Sequence, residues 1–140
     1  VLVRKAQDAV QQIQAQMAET MARVQQLQAS HERLCRLYDE YRLQAHAPDT
    51  TVMGMQASMN HRQFMAQLLN LQHRVVLDLD KAQATLAQLR KQRIQADIEL
   101  HKMQALADQD AQAVARDAQR LEQKQMDELG VRQFNLGMQT

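Results

Sequence analysis

The chain has 140 residues with 3% aromatic side chains, no Trp, three Gly and one Pro, so it lacks the aromatic supply of a sheet and the turn residues of a loop-rich globular fold. Apolar types reach 45%, much of it Ala and Met, and Gln makes up about one residue in six, a composition that favours helix throughout. Basic and acidic residues number 17 and 16 and are mixed along the sequence without charged tails, which argues against a nucleic-acid binder.

The first predicted element is a coiled-coil helix over about residues 2–46. Alternating steps of three and four visit Val3, Ala6, Val10, Ile13, Met17, Thr20, Val24, Leu27, His31, Leu34, Tyr38, Tyr41 and Ala45, with only Thr20 and His31 strongly polar before the aromatic end. Gln, Arg, Glu and Ala flank this seam, as a solvated face requires.

The pattern breaks at His46-Ala47-Pro48-Asp49-Thr50-Thr51-Val52-Met53-Gly54, which predicts a loop over about 47–56. Asp49, Thr50, Thr51 and Ser58 are all possible N-caps of the following element.

A second helix is predicted over about 57–130, ended by Gly130 and followed by a flexible tail at 131–140. Its seam visits Met65, Leu68, Gln72, Val75, Leu79, Ala82, Leu86, Leu89, Arg93, Ala96, Leu100, Met103 and Ala107, then turns polar through Asp110, Val114, Asp117, Leu121 and Lys124. A single reversal near Thr51 pairs residue i with roughly residue 102 − i. Leu34 then falls opposite Leu68 and Tyr38 opposite Phe64, and everything past about Met103 outruns its partner. The expected fold is all-α: one coiled-coil domain, a long two-helix antiparallel hairpin with an overhanging C-terminal helix.

Two parallel stripes offer no concave, partly dry pocket for catalysis. The five His residues form no H-x-x-x-H pair, the lone Cys35 completes no zinc set and reads as an inert buried thiol, and no Gly-rich phosphate loop is present. The expectation is a non-enzyme with no catalytic, cofactor-binding or metal-binding residue. One cysteine also fits a reducing compartment. No apolar run is long enough to span a membrane, and the expectation from the opening residues is that they are not a signal peptide. Met53, Met55, Met59 and Met65 cluster near the turn, where they fit either an adaptable binding tip or loose hairpin packing.

Three stretches resemble the FliJ family of flagellar export proteins: Tyr38-Asp39-Glu40-Tyr41-Arg42 before the loop, His61-Arg62-Gln63-Phe64-Met65-Ala66-Gln67-Leu68 early in the second helix, and Arg120-Leu121-Glu122-Gln123-Lys124-Gln125-Met126-Asp127-Glu128-Leu129 near the end. They are similar to the family's E-Y-R, Y-Q-Q-F-x-x-x-L and R-x-D-Q-K-x-M-D-E-F in order and spacing, and the likeness spans nearly the whole chain. The resemblance implies a non-enzymatic, stalk-like adaptor of the bacterial flagellar type III export apparatus, cytoplasmic and peripheral at the inner face of the inner membrane. It implies association with the hexameric export ATPase FliI, with the cytoplasmic domain of the export gate FlhA and with flagellar export chaperones, and neither nucleic acid nor an integral membrane segment.

By the same resemblance, gate-binding positions fall on Leu34, Leu37, Tyr41, Phe64, Leu68, Leu71 and Val75, where Leu37 replaces a family aromatic and Val75 a family His. Leu34, Tyr41 and Leu68 also belong to the seam, whereas Leu37, Phe64 and Leu71 lie off it and are expected to be exposed. Gln123, Lys124, Asp127 and Glu128 are the candidates for the ATPase end. Other readings are the equivalent stalk of a virulence type III secretion system, a coiled-coil scaffold that dimerises, and an interfacial helix on anionic lipid, the last disfavoured by the mixed charge of the polar face.

Overall fold

The computed structural model describes residues 1–44 and 52–138. They form two helices, α1 over Leu2–Gln44 and α2 over Val52–Met138, packed against each other as an all-α helical hairpin, with no strand among the described residues. The first turn of α1 is closed by the Lys5 amide, which donates to the Val1 carbonyl at 3.1 Å. Inside the helices, two threonine hydroxyls fold back onto the preceding turn: Thr20 donates to the Gln16 carbonyl at 2.8 Å and Thr85 to the Lys81 carbonyl at 3.0 Å.

α2 starts earlier and ends later than the sequence suggests. Residues 52–56, expected in the loop, are helical, and Ser58 therefore sits inside the helix rather than at its cap. The other cap candidates, with Ala45, His46, Ala47 and Pro48, lie outside the described residues. Gly130 does not stop the helix, and residues 131–138, expected as a tail, continue it. A glycine interrupts a helix only weakly, by roughly 0.5–1 kcal/mol relative to Ala, and Leu129, Val131, Arg132 and Gln133 around it are residues a helix tolerates.

The chain divides into two compact units, Gln11–Ile94 and Val1–Val10 with Gln95–Thr140. In the first, the seam is buried on both arms: Val24 on α1 and Leu68, Ala82, Leu86 and Leu89 on α2 form the core, flanked by half-buried Ile13, Met17, Leu27, Leu34, Tyr38 and Tyr41 and by Met65, Val75 and Leu79. Within the second, Ala6 and Val10 are buried and Val3, Ala96, Leu100 and Met103 half-buried, while every described residue from Ala105 onward is exposed.

The pairing within Gln11–Ile94 differs from the expected register. The Gln72 side-chain amide donates to the Leu34 carbonyl at 3.2 Å, and the Tyr41 ring lies 4.8 Å from the Phe64 ring. Leu34 thus meets Gln72 rather than Leu68, and Phe64 meets Tyr41 rather than Tyr38, a shift of about one helical turn. Which side chains interlock across the seam fixes the register, not the position of the proline.

Such a hairpin has little depth: even the best-buried side chain, Leu68, keeps 4% of its surface. The Arg36–Glu32 ion pair at 3.4 Å is 71% exposed on both sides and contributes little. Stability therefore rests on the apolar seam. Replacing Leu68 with Ala is expected to lower unfolding free energy by about 2–4 kcal/mol, read from the denaturant midpoint. Gly130→Ala, whose added methyl would meet nothing within 4 Å, should instead raise helix content and slow amide exchange in the last turns of α2.

Candidate functional site

The seven positions tied to gate binding all fall within Gln11–Ile94 but are not equivalent there. Leu68 is buried, and Leu34, Tyr41 and Val75 are half-buried, so these four hold the hairpin together. Leu37, Phe64 and Leu71 are 39%, 38% and 46% exposed. At 100° per residue, Phe64 and Leu71 lie two turns apart on one flank of the Met65–Leu68–Gln72–Val75 seam.

Tyr41 joins the two helices at this flank. Its ring packs edge-on against Phe64 with planes 63° apart and stands 6.1 Å from the His61 ring. An edge-to-face pair favours this geometry because the positive ring edge meets the negative face. His61 Nε2 is buried there without a hydrogen-bond partner among the described residues. The aromatic contact fixes Phe64 against α1 and leaves the rest of its ring at the surface. A shallow depression lined by Gln67, Asn70, Leu71 and Arg74 continues the flank along α2.

Gln123, Lys124, Asp127 and Glu128 all sit on the exposed stretch of α2, in the unit formed by Val1–Val10 and Gln95–Thr140. The Gln123 amide donates to the Asp127 carboxylate at 3.2 Å, one turn along the helix. Arg116, Gln119, Arg120, Glu122 and Met126 border the same surface, which is the open side of a single helix and encloses nothing.

Cys35 differs from its expected state. It is half-buried, and its Sγ lies 3.8 Å from Nε2 of His31, one turn earlier on α1. The H-x-x-x-C spacing of these two residues was visible in the sequence, but a search confined to paired histidines passes over it. Among the described residues no three His, Cys, Asp or Glu side chains converge as a metal site. No described helix is long and apolar enough to cross a membrane.

These features define an all-α helical hairpin whose distinctive surfaces are exposed side chains on helix faces. The family model described as Flagellar FliJ protein matches residues 1–139, and the chain belongs to the FliJ family. That makes it a stalk-like component of flagellar type III export, in a family of non-enzymatic export proteins. No curated protein and no solved structure matches it.

The contact between Tyr41 and Phe64 can be measured on its own. A double-mutant cycle with Tyr41→Ala and Phe64→Ala is expected to return a coupling of about 0.5–1.5 kcal/mol in unfolding free energy. A coupling near zero would show that the two rings contribute independently.

Proposed function

We propose that this chain is a stalk and adaptor that links the export ATPase to the export gate. Its turn-proximal flank engages the cytoplasmic domain of FlhA through Leu37, Phe64 and Leu71, with Leu34, Tyr41, Leu68 and Val75 holding that flank in shape. The exposed C-terminal stretch of α2, through Gln123, Lys124, Asp127 and Glu128, engages the FliI hexamer. The protein works in the cytoplasm at the inner face of the inner membrane and assists the cycling of export chaperones.

One observation carries this reading above the others. Leu37, Phe64 and Leu71 remain at the surface of the hairpin, and the Tyr41 ring holds Phe64 there. An apolar side chain at the surface gains free energy only when a partner covers it. The three residues also coincide with positions through which the family resemblance points to the gate. The family match supports the flagellar machine over its virulence counterpart.

The test uses the full chain with purified FliI and the cytoplasmic domain of FlhA, following ATPase rate and binding together. Both partners are expected to be retained. Phe64→Ala combined with Leu71→Ala should weaken FlhA binding by about tenfold or more with helix content unchanged, because truncating two central apolar contacts removes at least about 1.4 kcal/mol. FliI binding should be untouched by that pair and weakened by Lys124→Glu. Absence of binding to either protein would end the proposal, and loss of helix content in the double variant would return Phe64 and Leu71 to a structural role.

A further inference from the structure

Among the described residues, only His61 has a buried side-chain nitrogen or oxygen without a hydrogen-bond partner, its Nε2. At 100° per residue His61 lies between Met65 and Leu68 around the helix, so it belongs to the apolar seam rather than to a solvated face. Neither tautomer relieves the atom: with its hydrogen Nε2 is a donor without an acceptor, and without it an acceptor without a donor. A buried polar atom of this kind is unfavourable, and a phenyl ring at the same place would not carry it. Thr20 and Gln72, by contrast, donate from the seam to backbone carbonyls. Stability alone does not account for an imidazole at this position.

The neighbours of His61 give its ring a use. Its centroid is 6.1 Å from that of Tyr41, with the planes 46° apart, and Tyr41 in turn lies 4.8 Å from Phe64. Both distances fall within the range at which aromatic rings attract each other. His61 and Phe64 are three residues apart on α2, so one ring from α1 meets two successive turns of the other helix. A tyrosine ring turns between staggered rotamers, and a half-buried one is confined by what stands beside it. Of the two rings beside Tyr41, Phe64 is exposed and His61 is half-buried, so His61 is the fixed side. Without the imidazole, Tyr41 gains room to turn away, and the edge-on contact that holds Phe64 at the surface loosens.

We propose that His61 is a positioning residue: its ring backs the Tyr41 ring, Tyr41 backs Phe64, and the three together present Phe64 to its partner in one orientation. The assignment rests on the reading of Phe64 as part of the gate surface. What His61 contributes is a flat ring of the right volume, not its nitrogen. A Phe64 already held in place binds without first losing side-chain freedom.

The experiment repeats the cycle of Tyr41→Ala and Phe64→Ala in the full chain carrying His61→Ala, and measures binding to the cytoplasmic domain of FlhA in parallel. The Tyr41–Phe64 coupling is expected to fall by about half or more in that background. His61→Ala alone should weaken FlhA binding by about fivefold at unchanged helix content. His61→Phe restores a ring without the unpaired nitrogen, so it should keep the coupling, hold FlhA affinity within about twofold and raise the denaturant midpoint. The chain has no Trp and two Tyr, so in a Tyr38→Phe background the tyrosine band of the near-UV circular dichroism reports Tyr41. His61→Ala should reduce that band and His61→Phe preserve it. If His61→Ala lowers helix content, His61→Leu fills the seam without a flat ring and should show the same loss of coupling. Unchanged coupling with an unchanged tyrosine band in the ringless variant overturns the proposal, and so does loss of helix content in both the Ala and Leu variants. Equal loss of FlhA binding in His61→Ala and His61→Phe, with the coupling intact in the latter, also overturns it, because the imidazole would then touch the partner itself. Coupling and band are read on the chain alone, so failure of the unmodified chain to bind FlhA would end the gate reading while the role of His61 toward Tyr41 and Phe64 is still decided.

Discussion

The whole architecture depends on one seam, because a helix in a two-helix hairpin has a single neighbour and can bury only the stripe that faces it. Burial of an apolar side chain contributes roughly 1.5–3 kcal/mol, while each ordered residue costs about 1–2 kcal/mol of backbone entropy. A two-helix unit therefore has little margin, and polar groups at the seam must be satisfied. In Gln11–Ile94 three of them are, whereas His61 Nε2 beside Tyr41 is buried with no partner among the described residues. Thr20 turns its hydroxyl onto its own helix, His31 contacts Cys35, and Gln72 reaches across to the Leu34 carbonyl. The Gln72 bond also specifies the pairing, since a slip by one turn would bring a different residue opposite Leu34 and leave the amide to compete with water. Polar residues at seam positions commonly trade stability for a unique register in this way.

Much of this was legible in the residues. Every described seam position of α1 from Val3 to Tyr41 is buried or half-buried, and on α2 the same holds from Met65 to Met103. Periodicity reports which face is apolar, and that face had only one place to go. Register was harder, because a heptad repeat matches itself equally well one turn along, and the choice lies in side-chain fits such as Tyr41 with Phe64 that no pattern count contains. Helix ends were harder still. Gly54 and Gly130 read as breakers, yet a long helix with good formers on both sides absorbs a glycine at small expense. The exposure of Leu37, Phe64 and Leu71 followed directly from their positions off the seam. The His31–Cys35 contact needed only one more residue type to be considered at the same spacing.

The distribution of apolar side chains along α2 separates stability from recognition. Near the turn, the helix is apolar on three sides: the seam at Leu68 and Val75, one flank at Phe64 and Leu71, the other at Leu69 and Val76. One neighbouring helix can cover only the first of these. A sequence selected for hairpin stability alone would keep large apolar residues off both flanks, as it does around Ala82, Leu86 and Leu89, where the neighbours are Ala, Gln, Thr, Lys and Arg. The apolar surplus near the turn therefore exceeds what the packing of two helices uses.

The C-terminal stretch follows different physics. From Ala105 to Met138 nothing buries the helix, so its persistence rests on intrinsic propensity and on local pairs such as Gln123 with Asp127. Ala, Gln, Leu, Glu, Lys and Arg dominate it, which is the composition a helix needs when it has no tertiary support. Its large apolar residues, Val114, Leu121, Met126, Leu129 and Phe134, do not gather into one stripe, unlike those near the turn. A helix that is preformed but not strongly amphipathic has already lost most of its backbone entropy before it meets a partner. It can then bind through polar and charged contacts without the ordering term that a disordered tail would have to overcome. The two kinds of surface differ accordingly: exposed apolar side chains near the turn, and a polar, charged helix surface along the last stretch of α2.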